Sequence, residues 1–427
     1  MFRALRHRNY QLFFAGQSVS VIGTWMGRVA INWLVYRLTG SAAMLGVVAF
    51  AGAIPAFVLT PISGTVVDWF DRYRVLLISQ MVLGLIALAL GTLVVTGNEA
   101  VWSVILLAML MGVARAFDIP ARQALVVNLV DDREDLSNAI ALNSTMINGA
   151  KLIGPMIAGV VIAAVGEGVL FLADGFSYVF VIAAMLAMRM PNRHRPKRDR
   201  AFLAHFVEGW QYARQSVPIR SLLMLMAMVS LLAVPYMVLL PIFADQVIGG
   251  GATTLGFLTA SAGAGAVVAG MYLASRRNVL GLGRVIGLGA GLFGAALIGF
   301  SLVNQLWMAM LLLPFAGFGM MTVMAGTNTA LQTLVDDDKR GRVMAFFTMA
   351  FMGAAPIGNL VAGVVAEYLG VQWTVAIGGG ACIVSACWFA TVLPAIRAAA
   401  RPILIEQGLI AAESVRAAAD SELTGGR

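Results

Sequence analysis

The sequence predicts an all-α membrane protein of twelve transmembrane helices, arranged as two pseudo-symmetric six-helix bundles. Composition is the first ground: 60% of residues are hydrophobic, 12% are charged and the mean hydropathy is +0.87. A water-soluble fold cannot bury that much apolar surface. The second ground is length, because the apolar residues fall in runs of about 20 or more, enough for a helix to cross a hydrocarbon core of roughly 30 Å. The third is an internal repeat. Leu129-Val130-Asp131-Asp132 recurs as Leu334-Val335-Asp336-Asp337, an offset of 205. Gly149, Gly154, Ala158, Gly159, Val160, Val161 and Gly166 recur as Gly353, Gly358, Ala362, Gly363, Val364, Val365 and Gly370, an offset of 204.

Spans are expected at 11–38, 43–66, 74–96, 100–120, 138–165 and 168–190 in the first half. The second half supplies 220–244, 253–276, 282–303, 306–334, 343–368 and 371–394. Each must be helical, because backbone polar groups find no water partners in lipid. Alternate connections differ in charge. Arg3, Arg6 and Arg8, Arg72 and Arg74, Arg122 and Arg133 lie on one side. Arg276, Arg277 and Arg284, Lys339, Arg340 and Arg342, and Arg397 and Arg401 lie on the same side. The opposite connections, around Gly97-Asn98-Glu99, Gly166-Glu167 and Asn304-Gln305, carry no Lys or Arg. The positive-inside rule then puts both termini in the cytoplasm.

The expected organisation is an N-terminal bundle over 1–190, a basic linker with an amphipathic helix over 191–219, a C-terminal bundle over 220–394 and a cytoplasmic tail over 395–427. In the linker, Phe202, Phe206, Trp210 and Tyr212 mix with His205, Glu208 and Arg214. That pattern suits a helix anchored at the membrane surface. Met1 to Tyr10 is basic, but the span after it is too long for a leader and lacks a small-residue cleavage site, so a first transmembrane helix is expected.

Several classes of function are excluded. The net charge of +8 is distributed between spans rather than clustered with aromatics, which argues against nucleic acid. Cys382 and Cys387, five apart in one apolar run, make neither a disulfide framework nor a metal site. His7, His194 and His205 all fall in cytoplasmic segments, and no nucleophile–base set or metal cluster is visible. No enzyme, metal or cofactor is expected. Two alike membrane bundles describe a carrier, with its substrate site at the seam between repeats.

Gly64-Thr65-Val66-Val67-Asp68-Trp69-Phe70-Asp71-Arg72 sits in the turn between the second and third spans. It resembles the signature of the major facilitator superfamily at that place. The resemblance implies a conformational latch in which Asp68 and Arg72, with Gly64 allowing close approach, meet an acid at the cytoplasmic end of the fourth span, here Asp118. Asp71 stands where the family has Gly and would add an acid to that latch. In the fifth span, Lys151-Leu152-Ile153-Gly154-Pro155-Met156-Ile157-Ala158-Gly159 resembles the exporter-associated motif of the same superfamily. Pro155 is expected to kink the helix, and Gly154 and Gly159 to permit tight packing. The second copy has Asn359 in place of that Pro. The wording of the first span, Gly23-Thr24-Trp25-Met26 and Trp33-Leu34-Val35-Tyr36, and Asp118-Ile119-Pro120-Ala121-Arg122-Gln123 are similar to enterobactin-exporter-like permeases. Ala108 stands where drug antiporters often carry an early Arg in the fourth span, a departure that weakens any mechanism carried over from them.

Ionisable groups inside spans are functional candidates by default. Four need weighing: Arg28, Arg115, Lys151 and Asp174. Arg115, three residues before Asp118, is expected to pair with it locally. Asp174, inside the sixth span and away from the latch, is the proton-coupling candidate, with a structural partner for a neighbouring helix as the competing reading. Asp245 is expected at the outer rim, solvated. The superfamily resemblance places a pocket between the first, fourth, seventh and tenth spans. Trp25, Arg28, Asn32, Trp33, Tyr236, Met324 and Asn328 are its candidates, and aromatics with Met suit a bulky amphipathic molecule better than a sugar. The expected function is export of a siderophore, drug or metabolite by a proton-coupled, alternating-access carrier of the bacterial inner membrane. Its partners are a small-molecule substrate, protons and membrane lipids, and a monomer is expected. A lipid or lysophospholipid flippase on the same fold and a non-transporting membrane sensor are the alternatives.

Overall fold

The computed structural model describes residues 3–130, 133–188, 202–276 and 280–406, and among them every regular element is a helix. The basic part of the linker and the end of the tail lie outside the described residues. A short 3-10 turn, Arg3–Arg6, leads into α1 (Arg8–Thr39), α2 (Ala42–Trp69), α3 (Arg72–Val95), α4 (Val101–Asn128), α5 (Arg133–Val165) and α6 (Glu167–Leu186). After the linker come α7 (Phe202–Gln215), α8 (Val217–Leu232), α9 (Tyr236–Ile242), a π-turn at Phe243–Val247, α10 (Gly251–Ser275), α11 (Leu282–Ser301), α12 (Leu306–Leu334), α13 (Asp337–Met352), α14 (Ala354–Leu369) and α15 (Val371–Glu406).

Local chemistry sets the turns. α1 stops at Gly40, whose φ of 61° is a left-handed value that suits glycine, and the Ser41 hydroxyl then caps α2 by accepting from the Met44 amide at 3.2 Å. The repeated pair Gly166 and Gly370 takes φ values of 82° and 84° at equivalent corners, before α6 and before α15. Asp71 is the N-cap of α3, accepting from the amides of Tyr73 at 2.8 Å and Arg74 at 3.2 Å. Its expected place in the latch is thereby corrected: its carboxylate faces a helix N-terminus, where an anion is most stable.

Eleven helical segments among the described residues are long and apolar enough to cross a membrane. α1 is the exception at 32 residues, diluted by Asn9, Gln11, Gln17, Arg28, Asn32 and Arg37. Gln17 and Ser20 on it are buried against protein, whereas Gln11, Arg28 and Arg37 are exposed. Two spans read as single helices are broken. The seventh divides at Ala233–Pro235 into α8 and α9, and the eleventh divides at Gly353 into α13 and α14. Pro356 has no amide to offer the carbonyl of Met352, so the ladder fails there. α5, by contrast, runs on through Pro155 without interruption, so the break falls in the copy that lacks that Pro. α15 passes Pro394 and Pro402 and extends to Glu406, well into the stretch expected as tail.

The two halves pack by the same plan. α1 lies on α5 and α6, α3 on α4 and α6, and α2 on α4; in the second half α8 lies on α14 and α15, α11 on α12 and α15, and α10 on α12. Between the halves the most extensive contacts among the described residues are α5 with α10 and α2 with α14. Lipid tails are as apolar as leucine, so close backbone approach, rather than hydrophobic burial, must hold such crossings together. α7 does not simply rest on a membrane surface. Trp210 meets Phe346 of α13 at 5.7 Å between ring centres, Glu208 pairs with Arg342 at 2.6 Å, and Lys339 stands 4.6 Å over the Tyr212 ring. Trp210 keeps its other face exposed.

Candidate functional site

The first half encloses a cluster of charges midway along its helices. Gly23 and Gly27 are one turn apart on α1 and form a slot for the carboxylate of Asp174 on α6. A Cβ on Gly23 would stand 2.5 Å from Asp174 Oδ1, and one on Gly27 would stand 3.0 Å from Oδ2. Asp174 is 4% exposed, and its Oδ1 has no hydrogen-bond partner among the described residues. Its backbone carbonyl accepts from the Ser177 hydroxyl at 2.6 Å. The nearest influential positive charge is Arg115 of α4. Beside them the Tyr178 hydroxyl lies 3.5 Å from that of Thr24.

Trp25 is the hinge between this slot and α5. The Arg28 guanidinium lies 4.4 Å from the Trp25 ring centre and the Lys151 ammonium 5.6 Å from it, two cation–π contacts on one indole. Gly154 makes room for this, since a Cβ there would fall 2.7 Å from Trp25 Cβ. Arg28 is solvent-exposed although flanked by Arg115, Lys151 and Tyr178 from three other helices, so it lines an opening inside the bundle. Gly149, two residues before Lys151 and so on nearly the opposite face of α5, would present a Cβ to open space. At about 1.5 Å per residue, Arg28 is about 17 Å from the end of α1 and Lys151 about 21 Å from the end of α5, too deep to reach either membrane face.

The other pocket candidates stand apart from this cluster. Asn32 and Trp33 are half-buried further along α1, where Trp33 tilts against Tyr36 at 5.7 Å. Met324 and Asn328 are half-buried on α12, and the Asn328 side chain accepts from Gln332 at 2.5 Å. Tyr236 is 3% exposed and packs edge-on to Phe293, facing the interior of its own half in this conformation. A cleft of about 700 Å³ between α8, α11, α12 and α15, lined by Leu222, Leu282, Leu334, Arg397 and Arg401, contains none of the candidates.

The turn signature places its residues at the end of α2 and the start of α3. Gly64 and Asp68 lie in α2, but their side chains fall outside the described residues; Arg72 is partly buried. Asp118 is 2% exposed, accepts from Gln80 Nε2 of α3 at 2.5 Å and pairs with Arg122 on its own helix. Arg115 is not its partner. The i,i+4 residue Arg122 takes that place, and Arg115 turns toward Asp174 and Arg28 instead.

The repeated glycines prove to be the seams. Gly154 seats α5 on α1, whereas Gly159 seats it on α10 of the other half, where a Cβ would meet Ala252 O and Gly256 Cα at 2.9 Å. In the second copy Gly358 seats α14 on α8, and Gly363 seats it on α2, with a Cβ 2.6 Å from Ala42 O and 2.9 Å from Gly46 Cα. The Gly154/Gly358 position therefore packs within a half and the Gly159/Gly363 position across the halves.

Sequence reasoning missed a set of contacts at the end of the molecule opposite the termini. Asp245 accepts from the Tyr36 hydroxyl at 2.6 Å across the halves, which corrects its reading as merely solvated. Glu367 accepts from the Ser41 hydroxyl at 2.9 Å and the Ala43 amide at 3.1 Å, also across the halves. Arg37 pairs with Glu99 at 2.8 Å and with Glu167. The Arg37 hydrogen bond holds the Glu99 carboxyl below its ordinary value of 4.5. Glu99 and Glu167 were legible only as parts of Arg-free connections, and their partner Arg37 sits inside a span.

A family model described as a transmembrane secretion effector matches residues 1–413. The staphyloferrin A transporter of Staphylococcus aureus is 26% identical over 86% of this chain and 92% of its own length. The multidrug efflux pump Tap of Mycolicibacterium fortuitum is 28% identical over 81% and 86%, and the macrolide efflux protein A of Streptococcus pyogenes 23% identical over 86% and 92%. Among solved structures, a bacterial homologue of the iron transporter ferroportin in an inward-facing state superposes with a TM-score of 0.69 at 16% identity, covering 90% of this chain and 98% of that one. A POT family transporter superposes with a TM-score of 0.72 at 12% identity, covering 91% and 96%.

Proposed function

Because the chain belongs to the transmembrane secretion effector family of the major facilitator superfamily, we propose that it is a secondary active exporter of an amphipathic small molecule, driven by proton entry. The names of its relatives support a siderophore or a drug as cargo. The two bundles, 1–190 and 220–394, rock about the seam, joined by the linker and followed by the tail. In this reading both termini are cytoplasmic, which the distribution of Arg and Lys between spans supports, and the membrane is the bacterial inner membrane, which its bacterial relatives support. The cytoplasmic latch is Gly64, Asp68, Arg72 and Asp118, and it biases the equilibrium between the two openings.

The observation that carries the reading is Asp174. It is the carboxylate in the first half's buried charge cluster, its Oδ1 has no hydrogen-bond partner, and two glycines press α1 onto it. Nothing donates to its Oδ1 among the described residues, and Arg115 is the positive charge that faces it. Proton exchange at Asp174 would thus alter the fit of α1 against α6 and couple to the movement of Trp25 and Arg28. The test is counterflow in proteoliposomes with a panel of siderophores, antibiotics and lysolipids, with and without a pH gradient. Asp174→Asn is expected to keep counterflow and lose its gradient dependence. Unchanged gradient dependence would remove Asp174 from the coupling role, and flux of lysolipids alone would make the protein a flippase.

A further inference from the structure

Three cations, Arg28, Arg115 and Lys151, and one carboxylate, Asp174, meet at mid-depth in the first half. Among the described residues none of the three cations has a carboxylate within the 4.0 Å of an ion pair. Arg28 and Lys151 converge instead on the face or edge of one indole, close enough to repel each other. A charged side chain at the bilayer centre costs about 2.5 kcal/mol or more, so an uncompensated surplus of positive charge here needs a partner. Indole contact offsets only about 0.5–2 kcal/mol of such a cost. Arg28 is open to solvent and Lys151 is only half-buried, so the missing partner has a way in.

We propose that this cluster is an anion subsite, and that the exported molecule carries a carboxylate or comparable anionic group seated between Arg28 and Lys151 with its apolar body on Trp25. The inference rests on the export reading and narrows its substrate class from amphipathic molecules in general to amphipathic anions. The planar guanidinium supplies paired donors to a carboxylate, and the ammonium supplies a point charge from a second helix. Asp174 lies behind this pair, in the slot of Gly23 and Gly27, so proton and anion occupy different places. An anion leaving an inside-negative cell also runs with the membrane potential, about 2.3 kcal/mol per charge for each 100 mV. The potential that draws a proton inward therefore helps to drive the cargo outward.

The test uses two probes of the same shape and opposite charge, 2-naphthoate and 2-naphthylmethylammonium, with full-length protein in zwitterionic nanodiscs that keep lipid anions away from the site. Equilibrium dialysis is expected to show naphthoate binding at least about tenfold tighter than the ammonium probe, a gap of about 1.4 kcal/mol. Arg28→Gln and Lys151→Gln are each expected to erase most of that preference, whereas Arg28→Lys, which keeps the charge, retains it. Absence of a preference in the wild type, or its survival in the Arg28→Gln, Lys151→Gln double variant, overturns the proposal. Flux of the same probes in proteoliposomes separates the two readings. Naphthoate binding without flux overturns export and supports the anion site; flux without charge preference supports export and overturns the anion site.

Discussion

Asp118 and Glu99 illustrate two different uses of a carboxylate at the residue scale. Asp118 is removed from water and takes a donor from each of two side chains, so its charge is compensated and its position is set by α3 as well as α4. Glu99 sits in a connection and shares Arg37 with Glu167. A carboxyl held below its unfolded value stabilises the fold above that value, and the stabilisation is lost as pH falls through the lower, folded value. The Arg37 clamp is therefore fully present at neutral pH and lost only below about 4.5, the ordinary value for Glu99. Arg37→Gln is expected to lower stability by about 1 kcal/mol or less at pH 7, since Arg37 is largely exposed and its pair is screened. Thermal unfolding followed from pH 7 to pH 3 should show the difference between variant and wild type shrinking as the acid limit is reached.

At the scale of elements, α5 and α14 are the members of the repeat that join the halves. Each meets its own half through one glycine and the opposite half through the next, five residues on. Overpacking a contact this close costs typically about 1–3 kcal/mol, enough to shift a conformational equilibrium several-fold or more. Gly159→Val is expected to slow counterflow at least several-fold while insertion remains normal, because its side chain must displace Ala252 and Gly256. Gly149→Ala, whose Cβ meets no atom within 4 Å, should leave transport unchanged. Equal rates for both variants would show that the α5–α10 seam does not separate during transport. α7 is an element whose role changed with the fold: its aromatic face reads as membrane-seeking, yet Trp210, Glu208 and Tyr212 meet Phe346, Arg342 and Lys339 of α13. Nothing in the order of residues tells an aromatic that faces lipid from one that faces a helix 130 positions away.

At the scale of the whole molecule, the contacts Tyr36–Asp245, Ser41–Glu367 and Ala43–Glu367 hold the two halves together at the end opposite the termini. Hydrogen bonds to charged acceptors contribute about 1.5–3 kcal/mol each, so removing two should move the equilibrium between openings by tenfold or more. The double variant Tyr36→Phe, Glu367→Ala is expected to raise the population opened at that end, read as a longer distance between spin labels placed at the exposed Asn98 and Asn304. An unchanged distance distribution would mean that the glycine seams alone keep that end closed. The halves share helices and seams, but their charges differ, so these contacts are not duplicated by the repeat.

Composition, span length and the internal repeat determined the class of the protein and the order of its apolar segments, because lipid admits few solutions for a chain this apolar. The repeat located the seam helices, and four ionisable residues inside spans were visible as anomalies. Only the tertiary structure decided which of these charges meet. Helical spacing predicted Arg115 with Asp118, but packing gave Asp118 to Gln80 and Arg122 and turned Arg115 toward Asp174. It also put Lys151 and Arg28, more than a hundred residues apart in sequence, on the same indole. Hydropathy is a sum over neighbours in sequence, whereas a charge inside a membrane is settled by neighbours in space, and those are contributed by helices whose rotation and depth no local pattern records.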